Sequence, residues 1–229
     1  GAPEHRADII DFINYIFSQA HAPHNFKTLL PKVYGAGKGY SEIHAIVLED
    51  GRMRGVVGQL PMNVTLAGCP MSIGFIGSVS THPDTRGAGY MIKLMDMQAR
   101  HAQETGIDMM MLGGQRQRYE YYGYSPVGEV YNYAINPANV RHALKNVDTA
   151  GISFKDFIRV GEETVDAAYA LYLRQPVTGA RSRADFDITM RSWNAAPYMI
   201  YRGETMIGYC VASGKGNMSE VILNNADDA

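Results

Sequence analysis

The chain has 229 residues, 46% hydrophobic and 19% charged, a globular balance that excludes a mainly disordered state. A formal net charge of −2 argues against a nucleic-acid partner, and no apolar run approaches the length of a membrane span. Two cysteines, Cys69 and Cys210, cannot build a disulfide framework and suit a reducing, cytoplasmic setting.

Ile9, Ile13, Ile16 and Phe17 recur at helical spacing, so residues 8–20 are expected to form a helix with Asp8 as its cap. A glycine-rich loop runs from Pro31 to Tyr40. Ile43 to Leu48 and Met53 to Leu60 flank Asp50-Gly51, a hairpin signal. Met62 to Leu66 and Ile73 to Thr81 are further strand candidates, with Gly68 and Pro70 between them. Met91 to Thr105 carries one helical face through Met91, Met95, Gln98 and Ala102 and stops at Gly106. Asp108 to Leu112 reads as a strand, Arg118 to Tyr122 as one helical turn and Val127 to Ile135 as another strand. Met109 to Met111, with Met91 and Met95, are expected to fill the core between helix and sheet.

Asn, Pro, Asp and Gly then cluster around a short helical stretch, Val140 to Leu144, which predicts a boundary near residue 150 and two units, 1–149 and 150–229. The second unit reads as a strand (Ser153 to Val160), two helices (Glu162 to Leu173 and Ala184 to Trp193), a hairpin (Tyr198 to Tyr201, Met206 to Val211) and a last strand (Met218 to Leu223).

The chemistry concentrates between Ile76 and Gly128. A strand ends at Pro83, Gly87 and Gly89 bracket Ala88, and a helix begins at once. Glycines there permit left-handed backbone and close approach of a ligand. The start of a helix exposes unpaired N–H groups and the positive end of its dipole, a setting for phosphate. Arg86 adds a guanidinium able to pair with phosphate oxygens. A tight turn beside a surface arginine explains the same residues, and two glycines alone do not decide between the two readings. The turn lacks the G-x-G-x-x-G spacing of a dinucleotide fingerprint. The other loop, Gly35-Ala36-Gly37-Lys38-Gly39, has Gly39 where a Walker A loop needs Ser or Thr and reads as a plain connection.

The run Val79 to Met91 resembles motif A of the GCN5-related N-acetyltransferases, the GNAT superfamily, whose pattern is [Q/R]-x-x-G-x-[G/A]. Arg86 matches the first position and Gly89 the fourth, while Met91 replaces the small sixth residue. Tyr119 to Tyr124 resembles the aromatic motif that follows the next strand, through Tyr119, Gly123 and Tyr124. The resemblance implies an α/β (α+β) fold with a mixed, mostly antiparallel central sheet flanked by helices. It implies acetyl-CoA as acyl donor, with Ser78, Val79, Ser80 and Thr81 pairing with pantetheine. Arg86, Gly87, Ala88, Gly89 and Tyr90 would form the pyrophosphate loop. Tyr119 matches the family's acid for the departing thiolate, and Tyr121, Tyr122 and Tyr124 are read as packing aromatics. No base is nominated: Glu42, Glu49 and Glu129 all read as surface charge.

The helix-first second unit, through Arg181-Ser182-Arg183-Ala184-Asp185-Phe186, Trp193 and Gly203-Glu204-x-x-Ile207-Gly208-Tyr209, resembles the second module of the Eis-type tandem GNAT enzymes, which lacks motif A. In those enzymes the terminal carboxylate of a third domain is the base. Here the third domain is expected to be absent and the second incomplete.

The function expected is direct transfer of an acetyl group from acetyl-CoA to a primary amine of a small molecule or peptide, without metal. The alternatives are a non-catalytic acyl-CoA-binding sensor or scaffold, and a second unit that serves as an assembly surface in a homo-oligomer. Other constellations are blander. His21-x-x-His24 reads as a loop pair rather than a metal site, His82 as a turn residue, Cys69 as an unactivated thiol, and Arg116 and Arg118 as surface charge.

Overall fold

The computed structural model describes residues 1–20, 22–129 and 131–225. Helix α1 (Arg6–Ala20) starts earlier than a cap at Asp8 predicts, because a 3-10 turn with proline at its first position feeds it. Asp8 lies in the first turn, where its charge favours the helix dipole. Two one-turn helices precede β1, the second of them taking the first four residues of the expected loop from Pro31 to Tyr40. Asn25 caps α2 (Phe26–Leu29) through the Lys27 N–H, and Pro31 opens α3 (Pro31–Tyr34). Both form because Phe26 and Tyr34 bury themselves against Ile9, Ile10 and Ile13 of α1.

β1 (His44–Glu49) and β2 (Arg52–Leu66) pair antiparallel around Asp50-Gly51, whose φ values of 51° and 72° suit a two-residue hairpin turn. The two strands expected on either side of Pro61 are one. Pro61 falls where β1 pairing has ended, at Gly58, and β6 pairing has not begun, so it removes no bond on that edge. β3 (Cys69–Thr81) returns antiparallel along β2 and includes Pro70. Helix α4 (Tyr90–Glu104) crosses to β4 (Met109–Leu112), which runs parallel to β3, and Gly106 supplies the left-handed stop with φ 70°. α5 (Arg116–Tyr119) and a 3-10 turn over Glu120–Tyr122 follow.

The sheet order is β1-β2-β3-β4. Consecutive residues of β2 point to opposite faces: Val56 packs under α1, and Val57 packs under α4 with Ile76, Leu94 and Met95. The same alternation corrects the expected methionine core. Met110 joins the α4 cluster, but Met109 and Met111 point to the other face and are exposed. No described residue from Val127 to Ile135 belongs to a strand. The free edge that such a strand could join, β4, is only four residues long.

α6 (Pro137–His142) carries a capping box from Asn136. Beyond it, β5 (Ile152–Asp156) stops short of Val160 because Asp156 caps the 3-10 turn at Phe157–Arg159. α7 (Glu162–Leu173) has the predicted bounds. The three-residue β6 (Val177–Gly179) was not legible, and it pairs with Val64–Leu66 of β2, adding to the first sheet. α8 (Phe186–Met190) is shorter than expected, since Trp193 and Asn194 take positive φ and leave helical geometry. β7 (Ala195–Arg202), β8 (Thr205–Ser213) and β9 (Asn217–Leu223) complete a second antiparallel sheet, β5-β7-β8-β9. Its core holds Ala168, Leu171, Phe186, Met199 and Tyr209. Gly208 is a glycine because a Cβ there would lie 2.3 Å from the Ile222 carbonyl. Among the described residues no helix is long and apolar enough to cross a membrane.

Candidate active site

β3 outruns its parallel neighbour. β4 pairs with Ile73 to Ile76 and ends at Leu112, followed by Gly113-Gly114, whereas β3 continues to Thr81 with only β2 beside it. An opening therefore lies alongside Gly77–Thr81, on an edge that has no strand partner among the described residues. Within it the β2–β3 register jumps from Gly58↔Gly77 to Val56↔Ser80, so that Ser78 and Val79 together face Val57. This is a bulge, and Ser78 sits in it with φ 54°, a left-handed conformation that only glycine adopts freely. The buried Ser80 hydroxyl donates to the Ser78 carbonyl (3.1 Å), and Val79 packs toward α4. The structure thus places Ser78, Val79, Ser80 and Thr81 consecutively along the opening.

The chain leaves β3 through a 3-10 turn at Pro83–Thr85. His82 holds this turn by accepting from the Asp84 N–H (3.3 Å), and its ring stacks with Phe12 and Tyr15 of α1. Gly87 and Gly89 have φ 86° and 77°, and a Cβ added to either would meet nothing within 4 Å. The Arg86 and Ala88 amides are satisfied by the carbonyls of Pro83 and Thr85. No described residue accepts from the N–H groups of Gly87, Gly89, Tyr90, Met91 or Ile92, and Gly89 brings no side-chain cap. Five unpartnered donors therefore lie at or just before the positive end of a fifteen-residue helix, a setting that favours an anion. Arg86 is exposed there, with no carboxylate paired to it among the described residues.

Tyr90 contributes its N–H but not its phenol, which turns away to donate to Glu49 (2.9 Å). Glu49 in turn lies 3.2 Å from Arg54. Met91, larger than its position in the motif usually holds, is accommodated in the α4 cluster.

Tyr119 ends α5, the helical turn that follows β4. Its ring rests on Gly114, just past β4, so closely that a Cβ at Gly114 would come within 2.4 Å of it. Val57, Ile76, Leu94 and Met95 surround it. Burial pushes its phenol pKa up against the opposing effect of Arg118, so the hydroxyl is a protonated donor at neutral pH. Tyr122 and Tyr124 pack beside it as expected. Tyr121 does not: it is 76% exposed. Arg116 is paired with Glu120 on the surface.

Sequence reading missed three groups behind the bulge. Tyr34 of α3 bonds Ser78 Oγ (2.6 Å) and His44 Nε2 (3.1 Å), and His44 Nδ1 lies 2.6 Å from the Tyr40 carbonyl. A period-2 strand pattern with a histidine at its first residue carries no sign of this, because the partners are 10 and 44 residues away from Tyr34. Burial lowers the His44 pKa from 6.5 to about 4, with the Gly1 ammonium acting in the same direction and the Tyr40 bond opposing. Burial likewise raises Tyr34 to about 12.

The unfolded chain therefore binds a proton at His44 that the folded chain refuses. Stability is full above pH ~6.5 and falls as the pH drops toward 4, by about 3 kcal/mol from this residue at 1.36 kcal/mol per unit. Urea midpoints at pH 7 and pH 4.5 should show the loss, and His44→Gln should remove its share of it.

Among the described residues no group of three His, Cys, Asp or Glu side chains gathers as a metal site. His21 lies outside the described residues, and the ring of His24 packs on Phe17, Phe26 and Trp193. Cys69 is exposed and Cys210 is buried in the second sheet.

Residues 2–127, more than half of the chain, match the acetyltransferase (GNAT) domain family. The chain belongs to the GNAT acetyltransferases. The GNAT fold extends to solved structures at low identity. A GCN5-related N-acetyltransferase from Anabaena variabilis superposes with a TM-score of 0.66 at 16% identity over 98% of this chain and 58% of that one. A GCN5-related N-acetyltransferase from Kribbella flavida gives 0.64 at 12% over 98% and 57%, and Eis1 from Mycobacterium abscessus gives 0.56 at 13% over 99% and 59%. This chain thus spans less than three-fifths of each of these GNAT-fold proteins. No curated protein matches it.

Proposed function

We propose that this GNAT chain is an N-acetyltransferase that moves an acetyl group from acetyl-CoA directly to a primary amine of a small molecule or peptide. The observation that supports it best is the set of free amides at Gly87 and from Gly89 to Ile92 at the start of α4, beside an opening in the sheet. The coenzyme's diphosphate would lie on those amides with Arg86 against its oxygens, and pantetheine would run along Ser78–Thr81. The amine nitrogen attacks the thioester carbon and the C–S bond breaks. The Tyr119 hydroxyl protonates the departing thiolate, and the proton released by the amine leaves to solvent, from which Tyr119 recovers its own. No acyl-enzyme is needed: Cys69 starts β3 at the end away from Gly77–Thr81, and Cys210 lies in the second sheet.

Residues 150–229, with their own sheet and core, would be a second GNAT-like unit without motif A in an Eis-like tandem arrangement, tied to the first by β6. Titration calorimetry of the full chain with acetyl-CoA should give a dissociation constant of roughly 1 μM to 1 mM. A panel of polyamines, aminoglycosides and peptide amines, read by thiol release, would then identify the acceptor. No binding heat at millimolar acetyl-CoA would defeat the proposal.

A further inference from the structure

The bulge that shapes the opening is held in a conformation its own residue disfavours, and the hydrogen bonds behind it have only one consistent direction. The Tyr40 carbonyl can only accept, so His44 Nδ1 carries the ring proton. His44 is buried and its basicity is lowered, so the ring is neutral and Nε2 can only accept. The Tyr34 hydroxyl must then donate to Nε2, and with its one proton committed it can only accept from Ser78. The Ser78 Oγ–H is thereby pinned toward Tyr34, and with it a backbone at φ 54° that would otherwise relax toward an ordinary strand.

The chain makes room for this arrangement. His44 lies directly across from Gly58, where a Cβ would come 2.9 Å from Nε2, and Gly58 lies across from Gly77, the residue before the bulge. The imidazole thus reaches over a bare Cα on the central strand to meet Tyr34. Tyr34 is 1% exposed and His44 is 1% exposed, while Ser78 at the end of the chain of bonds is only half-buried and meets the opening.

We infer that Tyr34 and His44 are positioning residues for acyl transfer, a one-way hydrogen-bond chain that locks the Ser78 bulge so that the main-chain amides of β3 beside it point at the thioester carbonyl oxygen. This rests on the acetyl-CoA reading of the same opening and adds the device that aims its donors. Amides fixed in advance stabilise the developing oxyanion without reorganising during the reaction. Loss of the lock would leave the coenzyme's diphosphate end untouched and loosen only the reacting end.

The test uses acetyl-CoA labelled with 13C at the acetyl carbonyl, whose resonance moves when its oxygen accepts hydrogen bonds. Wild-type chain should bind the labelled donor and shift the carbonyl signal away from its free position. Tyr34→Phe should keep the acetyl-CoA dissociation constant within about threefold by calorimetry and lose most of that shift. Ser78→Ala should lose it similarly, and the double variant no more than the worse single one, because both cut the same chain of bonds. His44→Gln, whose amide can donate to Tyr40 and accept from Tyr34, should retain more of the shift than His44→Leu. Circular dichroism and melting curves accompany each variant. If one fails to fold, the comparison of His44→Gln with wild type still reports on the lock.

A carbonyl shift retained in full by folded Tyr34→Phe, or additive losses in the double variant, would overturn the inference while leaving the acetyl-CoA reading standing. Absence of any binding by wild type would remove both.

Discussion

Tyr119→Phe should lower kcat by about 10²–10⁴, the range for losing a positioned general acid, with acetyl-CoA affinity changed less than twofold. The change removes one oxygen from a ring already seated among Val57, Ile76, Leu94 and Met95 and resting on Gly114, so the fold should survive it. A departing thiolate has a conjugate thiol near 8.5, and the phenol, whose pKa burial raises above its ordinary value of about 10, is protonated at working pH and so can supply the proton. Thiol release measured against pH should show the wild-type rate falling as Tyr119 ionises at high pH, a limb that the phenylalanine variant lacks. Turnover within threefold of wild type would remove Tyr119 from the mechanism. A binder without catalysis would show the same affinity in both proteins and no thiol release in either.

Gly89→Val should abolish measurable acetyl-CoA binding, a loss of a hundredfold or more, while shifting the melting temperature by only a few degrees. Gly89 has φ 77°, and a side chain there carries a left-handed penalty of roughly 1–2 kcal/mol. The added atoms meet no protein atom within 4 Å of the Cβ, so the core is undisturbed. They extend instead into the open space at the start of α4, where the N–H groups of Tyr90, Met91 and Ile92 are free. A structural glycine gives the opposite outcome, with stability lost and the affinity of the folded fraction retained. Calorimetry and thermal melting on one preparation separate the two.

The segments legible in the sequence are those whose signal is local. α1, α4 and α7 follow from apolar spacing at 3.6 residues, the β1–β2 hairpin from Asp50-Gly51, and the tight turn into α4 from Gly87 and Gly89 between a strand and a helix. Misreadings fall where a neighbour distant in sequence decides. Pro61 does not end a strand because a gap in the partner edge spares it. Met109 and Met111 are not core because they point to the face of β4 away from α4, where each stays 36% exposed. β6 forms because β2 offers it an edge more than a hundred residues away in sequence.

The same division runs through the site. The order of two short motifs is a property of neighbouring residues, and their resemblance to GNAT motifs implied the fold, the candidate anion-binding turn and the candidate acid Tyr119. The opening between β3 and β4 depends on where one strand outlasts another, and the strained Ser78 on a register shift against β2. The Tyr34–His44 lock depends on side chains from a one-turn helix and an edge strand meeting across Gly58. Only the tertiary structure decided these, because hydrogen bonds and close approaches between residues far apart in the chain exist only once packing has brought them together.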